Sequence, residues 1–386
     1  MLKIIVDATP IRPKPSGIGV YAYNLIQSLS KLQNEENLQI DVLFQPSFKN
    51  WLRGNWNVTE TIKDYSRLHL LPLPVTIVNL LAKLDPNPII NHFEKYLGNP
   101  DLVHGTDYTV YPCQKSRTVM TIHDLTFLKY PDYVNSIVRT YYSRVKQCLK
   151  WTDLIITFSQ NSKQDIVDFF QIESERIFVT PQASRYHSEY LSNQSVDNLQ
   201  KLVNYDFSKP YLLFVSTLEP RKNITCLIRT FNYLKQKHKI EHQLVLIGQK
   251  GWRYKSIFAA IEYSPWKKEI HYLSYLSDEL VALFYAQADV FVYPSFYEGF
   301  GLPVLEAMTL GAPVVTSNTS SLPEVAGDAA ILVDPNDYGQ IADAILKVIT
   351  DIQFRQEFIQ KGKERAKLFS WDKTARETIK AYKFLF

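Results

Sequence analysis

The sequence predicts an α/β protein built from two doubly wound, Rossmann-like domains of similar size, facing each other across a cleft. Three observations carry this. Short β-branched runs alternate with longer helical patterns from one end to the other. The strand runs are almost continuously apolar, which marks parallel strands covered by helices on both faces. A polar, Ser/Asn-rich stretch, ASRYHSEYLSNQSVDNLQKLVNYDFSKP, breaks the rhythm before a fresh strand begins. A chain of 386 residues is long enough for two or three domains.

KIIVDA is the first strand, and GVYAYNLIQSLSKL then spaces its apolar residues as a helix does. LQIDVLF, LVHGT, RTVMTIHD, LIITFS and RIFVTP follow as strands, with helical stretches around 134–150 and 161–170. LHLLPLPVTIVNLLAKL, Leu68 to Leu84, reads as a loop and an amphipathic helix, packed on its own domain or offered to a membrane or acceptor. The linker falls near 182–209, which gives an amino-terminal domain over 1–190 and a second over 205–369. YLLFVST, HQLVLIGQ, EIHYLSYL, DVFVYPS, APVVTSN and AAILVDP are the strands of the second half. After DPND the chain is helical to its end. Ligands of such sheets bind at the carboxyl ends of strands, so the cleft is the expected active site.

Composition narrows the function. A net charge of +4, spread along the chain, lacks the dense basic stripe of a nucleic-acid groove and suits small anionic ligands or an anionic membrane surface. Cys113, Cys148 and Cys226 lie far apart and form neither a disulfide framework nor a zinc site. A reducing cytoplasm is the expected location, with peripheral contact to the inner face of the plasma membrane left open. The apolar start is too short for a signal peptide, and no run of about 20 apolar residues could span a bilayer.

Four stretches carry chemistry. In PSGIGVYAYNL, Gly17 and Gly19 open a helix whose first amides favour an anion. The dinucleotide fingerprint turns directly after its strand, whereas TPIRPKPS intervenes here. A flap over a ligand and a plain loop with glycines for backbone freedom both stand. In TIHDLTF, His123 and Asp124 sit at the carboxyl edge of the first sheet, as partners of a hydroxyl or as structural groups. In FVSTLEPRKNITCLIRTF, Arg221 and Lys222 stand where a strand ends and a helix starts, a corner suited to clamping a pyrophosphate.

The fourth stretch is PSFYEGFGLPVLEA. Pro303 suits a first helical position, so the amides of Phe300, Gly301 and Leu302 lie at a helix start, ready for phosphate oxygens. Carboxylates beside a phosphate make sense only if they hold hydroxyls. Glu298 and Glu306 can each accept from one vicinal diol, on the sugar ring and on the ribose.

PSFYEGFGLPVLEAMTLGAPVVTSNTSSLPEVAGDAAILVDP resembles the E-x7-E region of the retaining family 4 glycosyltransferases of the GT-B fold. The likeness extends over nearly the whole chain, because the glycine loop, TIHDLTF, STLEPRKN, LIGQKGW and the closing helices fall in the family's order. The resemblance implies that Glu298 contacts the donor sugar and Glu306 the ribose. It gives the diphosphate to Arg221 and Lys222, a phosphate contact to the loop of Gly17 and Gly19, and the reaction centre to His123, with Asp124 beside it. The loop at Gly248 and the pair Tyr272 and Leu273 then flank the base, and the final helix, 370–386, crosses back onto the first domain.

The implied reaction moves a hexose, with retention, from a UDP-sugar or GDP-mannose to a glycan or lipid-linked acceptor of a surface polysaccharide. No D-x-D triplet occurs, so neither a metal nor another cofactor is expected. Two rivals keep the scaffold: a nucleotide-sugar isomerase, epimerase or phosphorylase, and a non-catalytic nucleotide-sugar-binding protein. A nicotinamide oxidoreductase built on Gly17 leaves the second half unexplained.

Overall fold

In a computed structural model, residues 1–12, 17–54, 58, 60–63, 65, 67–82, 84, 90–192 and 194–386 are described. Part of the Pro-rich loop, residues 13–16, and Lys83 of the Leu68–Leu84 stretch lie outside them. The chain divides into two units. Unit one holds Met1–Leu128, Ser136–Gln182 and Ser370–Phe386; unit two holds Lys129–Asn135 and Ala183–Phe369.

Unit one is built on seven parallel strands: β1 (Leu2–Asp7), β2 (Leu38–Phe44), β3 (Leu68–Leu70), β4 (Leu102–Gly105), β5 (Arg117–Thr121), β6 (Leu154–Thr157) and β7 (Ile177–Val179). Their order across the sheet is β3-β2-β1-β4-β5-β6-β7. The chain winds outward on one side of β1 and then on the other, so the topological switch lies between β1 and β4. Ile4, Ile5 and Val6 of β1 are wholly buried, as a central parallel strand requires. The closing helix Trp371–Lys383 packs on the helix Gly17–Leu32. Its start is capped by Ser370, whose side chain accepts from the Lys373 amide.

Two readings of the first half need correction. Leu68–Leu70 is not loop but the edge strand β3, paired with β2. Three residues are too few to display a period, so only the sheet edge marks them as a strand. The helical stretch of 134–150 is broken, with helices Ser136–Arg139 and Tyr141–Cys148 meeting at Thr140.

Unit two carries six parallel strands: β8 (Tyr211–Val215), β9 (Gln243–Ile247), β10 (Ile270–Leu273), β11 (Val290–Tyr293), β12 (Val314–Ser317) and β13 (Ile331–Val333). Their order is β10-β9-β8-β11-β12-β13, with the switch between β8 and β11. Every residue of β8 and β11 is buried. The chain passes from unit one to unit two at Gln182 and Ala183, at the start of the polar stretch.

Candidate active site

The β8/β11 switch point positions the strongest cluster of unit two. After β8 the chain forms a short 3-10 turn, Pro220–Lys222, and Asn223 takes a left-handed conformation with φ 57° before the helix Ile224–His238. The Asn223 side chain secures this turn by donating to the Pro335 carbonyl at 2.6 Å. After β11, the loop 294–301 leads into the helix Leu302–Thr309. The amide of Phe296 in that loop donates to the Arg221 carbonyl at 3.0 Å, which locks the two loops together.

Arg221, Lys222 and Glu298 form one ion-pair network rather than separate subsites. Arg221 donates through Nη1 to Glu298 Oε2 at 2.9 Å and through Nη2 to Glu219 Oε1 at 2.9 Å. Lys222 donates from Nζ to Glu298 Oε1 at 2.6 Å and to the Tyr293 hydroxyl at 2.8 Å. The Ser295 hydroxyl adds a bond to the same oxygen at 2.6 Å. Lys222 is only 7% exposed, so it is not a solvated surface charge. Burial by itself would raise the Glu298 carboxyl; Arg221, then Lys222 and the bonds from Lys222 and Ser295, outweigh it and hold it down at about 2. Burial pushes the Lys222 ammonium down and the Glu219 carboxyl up.

The helix Leu302–Thr309 begins one residue earlier than expected, with Leu302 first and Pro303 second. Gly301 caps it at φ 118°, a conformation that L side chains rarely adopt, and a Cβ there would come within 2.8 Å of Leu322 Cδ2. Phe300, Gly301 and Leu302 thus stand at a helix start. The loop is pinned from behind: the Ser321 hydroxyl donates to the carbonyls of Glu298 at 2.9 Å and Phe300 at 2.7 Å.

Glu306 lies one turn into this helix and is 1% exposed. It accepts from Arg185 Nε at 2.7 Å and Nη2 at 3.4 Å, and from the Tyr285 hydroxyl at 3.4 Å. Sequence reasoning missed Arg185, Glu219, Tyr293 and Ser295. A buried carboxylate demands a cation, which was the available signal, but nothing in a polar linker says which arginine answers it.

Gly248 follows β9 at φ 146°, and a Cβ there would fall 1.9 Å from the Ser216 carbonyl oxygen, so only glycine fits at this close approach of the loops after β8 and β9. Its amide donates to the Leu273 carbonyl at 3.1 Å, which brings Gly248 and Leu273 together. Tyr272 packs edge-on against Phe258 at 5.0 Å, with Lys250 over both rings.

The other candidates belong to unit one. Gly17 and Gly19 lie in the first turn of the helix Gly17–Leu32, Gly17 exposed and Gly19 buried. His123 and Asp124 follow β5. The imidazole Nε2 of His123 donates to the Thr106 carbonyl at 2.8 Å, which leaves Nδ1 as the acceptor nitrogen. Burial lowers this imidazole and keeps it neutral. Tyr21, Tyr108 and Phe158 enclose the ring at 5.4, 5.3 and 5.0 Å. Asp124 accepts from the Thr126 amide at 2.9 Å and from the Tyr108 hydroxyl at 3.3 Å, while Tyr108 holds φ 51°. Asp7, at the end of β1, is pushed up to about 6 by burial.

Residues 15–183 match the family described as Glycosyltransferase Family 4, and residues 198–365 match Glycosyl transferases group 1. The O-antigen chain mannosyltransferase B of Escherichia coli is 33% identical over 391 residues and covers 100% of both chains. Among solved structures, the sucrose-phosphate synthase of Thermosynechococcus elongatus superposes with a TM-score of 0.75 at 20% identity, covering 100% of this chain and 99% of its own. HepE of Anabaena, solved with UDP and glucose, gives 0.72 at 16% identity, covering 99% of this chain and 100% of its own.

Proposed function

The chain belongs to the group 1 glycosyl transferases, with a family 4 first half and the GT-B fold, and we propose that it transfers a mannosyl residue from a nucleoside-diphosphate donor. The acceptor in this reading is a growing surface polysaccharide of the O-antigen kind, free or lipid-linked. The full-length likeness to an O-antigen mannosyltransferase supports both the sugar and the acceptor class. The same reading proposes peripheral contact of the chain with a membrane.

The single observation that carries the chemistry is the Arg221–Lys222–Glu298 network at the β8/β11 switch point, beside a helix start. The two cations and the helix amides stabilise the charge that develops on the leaving diphosphate, without a metal. Glu298, fixed in the same network, orients the donor sugar, and Glu306 anchors the ribose. The neutral His123 offers Nδ1 to a sugar or acceptor hydroxyl. No side chain of the network is free to act as a double-displacement nucleophile, which supports front-face transfer with retention.

The test is a transfer assay with GDP-mannose and UDP-glucose in the presence of EDTA, using wild type and Lys222→Ala. The expected result is transfer from GDP-mannose with the α-linkage kept, and a loss of about 10²-fold or more in kcat for the variant. Unchanged kinetics in Lys222→Ala would remove the leaving-group role, and complete loss of activity in EDTA would remove metal independence.

A further inference from the structure

We propose that Arg185 is a positioning residue for the donor: it fixes the plane of the Glu306 carboxylate and keeps it aimed at the ribose diol. The inference rests on reading Glu306 as the ribose anchor. It adds a residue from the stretch where the chain has just entered unit two.

The geometry is a relay from solvent to interior. Glu306 is 1% exposed, Arg185 29% and Asp278 44%. Arg185 meets Glu306 side-on, Nε on Oε1 at 2.7 Å and Nη2 on Oε2 at 3.4 Å, so both carboxylate oxygens are engaged and the plane of the group is set. The remaining arm, Nη1, donates to Asp278 Oδ1 at 2.9 Å. Asp278 opens the helix Asp278–Gln287, whose cap is Ser277. The same helix sends the Tyr285 hydroxyl to Glu306 Oε2 at 3.4 Å. One helix therefore orients the carboxylate twice, once directly and once through the arginine.

Stability does not explain this arrangement well. A buried ion pair adds little over apolar residues of the same volume, so its use lies in fixing where a charge points. A carboxylate has about four lone-pair sites. The fork takes one on each oxygen and Tyr285 a second on Oε2, which leaves the outer site of Oε1 for a ligand hydroxyl. The neighbouring Tyr186 strengthens the case. It is 4% exposed, and its hydroxyl has no hydrogen-bond partner among the described residues. Burial and then the charge of Glu306 push its phenol up. An unpaired buried hydroxyl beside a paired carboxylate is the kind of group that a ligand hydroxyl satisfies.

The experiment compares Arg185→Met, Arg185→Lys, Glu306→Gln and the double variant Arg185→Met/Glu306→Gln, reading donor KM and kcat separately with GDP-mannose. Arg185→Met is expected to raise donor KM about 10-fold or more, with kcat changed far less. Arg185→Lys recovers only part of the KM, because an ammonium lacks the fork. In the Glu306→Gln background, Arg185→Met adds nothing.

A wild-type donor KM in Arg185→Met, alongside a raised KM in Glu306→Gln, would overturn the positioning role and leave the ribose anchor standing. An unchanged KM in Glu306→Gln would overturn the anchor, and the positioning role with it. Additive losses in the double variant would also overturn it, since Arg185 would then act on the donor by itself. Should Arg185→Met fail to fold by circular dichroism, Arg185→Lys decides alone: a wild-type donor KM there counts against the proposal.

Discussion

Glu298 shares its two oxygens between Arg221 and Lys222, and that sharing sets what its removal does. Glu298→Gln removes the carboxylate that both buried cations share. The expected loss of stability is roughly 3–5 kcal/mol, the usual size for breaking a buried pair from one side. Urea unfolding at neutral pH checks it, and a variant as stable as wild type would mean the network relaxes freely. Protonation should mimic the substitution. The folded carboxyl stays ionised down to about 2, whereas the unfolded one titrates near 4.5. Its contribution is therefore complete above about 4.5 and fades as pH falls toward 2. The residue types and their order at this site were legible, because strand-to-helix corners with Arg-Lys and with two glutamates are local patterns. Their mutual pairing was not, because it joins loops 76 and 77 positions apart in the chain.

At the scale of elements, the closing helix is held to unit one by a buried polar chain. The Tyr382 hydroxyl meets His104 Nδ1 at 2.7 Å, and His104 Nε2 meets the Thr121 hydroxyl at 2.7 Å. Thr374 adds a bond to the Pro181 carbonyl at 2.6 Å. Tyr382→Phe keeps the packing but strands a ring nitrogen of β4, so stability should fall by about 1–3 kcal/mol. Faster hydrogen exchange along the closing helix should accompany the loss, and an unchanged melting temperature would count against the polar chain as a fastener. The helical character of this segment was readable, but a three-residue edge strand such as β3 was not. Its identity comes from the register of β2 beside it.

Over the whole molecule, acid should weaken the fold through histidine. His104, His123, His242 and His271 are all held below the ordinary imidazole value, with burial the first cause in each; His104 falls to about 3. The unfolded chain binds protons from about pH 6.5 downward that the folded chain refuses, so stability drops as pH falls through that range. Asp7 works in the opposite direction. Its folded value of about 6 exceeds the unfolded 3.8, so it penalises the fold at neutral pH and relieves that penalty between about 6 and 3.8. His104, moved from 6.5 to about 3 and joined by three more lowered histidines, outweighs Asp7, moved from 3.8 to about 6, and the raised Glu219. Urea midpoints should fall from pH 7 to pH 5, and Asp7→Asn should be more stable at pH 7 yet lose more across the interval. Midpoints that stay level or rise on acidification would refute this balance.

The sequence by itself determined the α/β class, the strand-helix alternation in each half and the corner motifs, because apolar period, turn chemistry and helix starts are written within short windows. Only the tertiary structure decided that Arg221 and Lys222 share the Glu298 carboxylate, and that an arginine from a polar linker holds Glu306. The reason is physical: a buried charge must find its partner through space, and parallel sheets bring together chain ends that lie far apart in sequence.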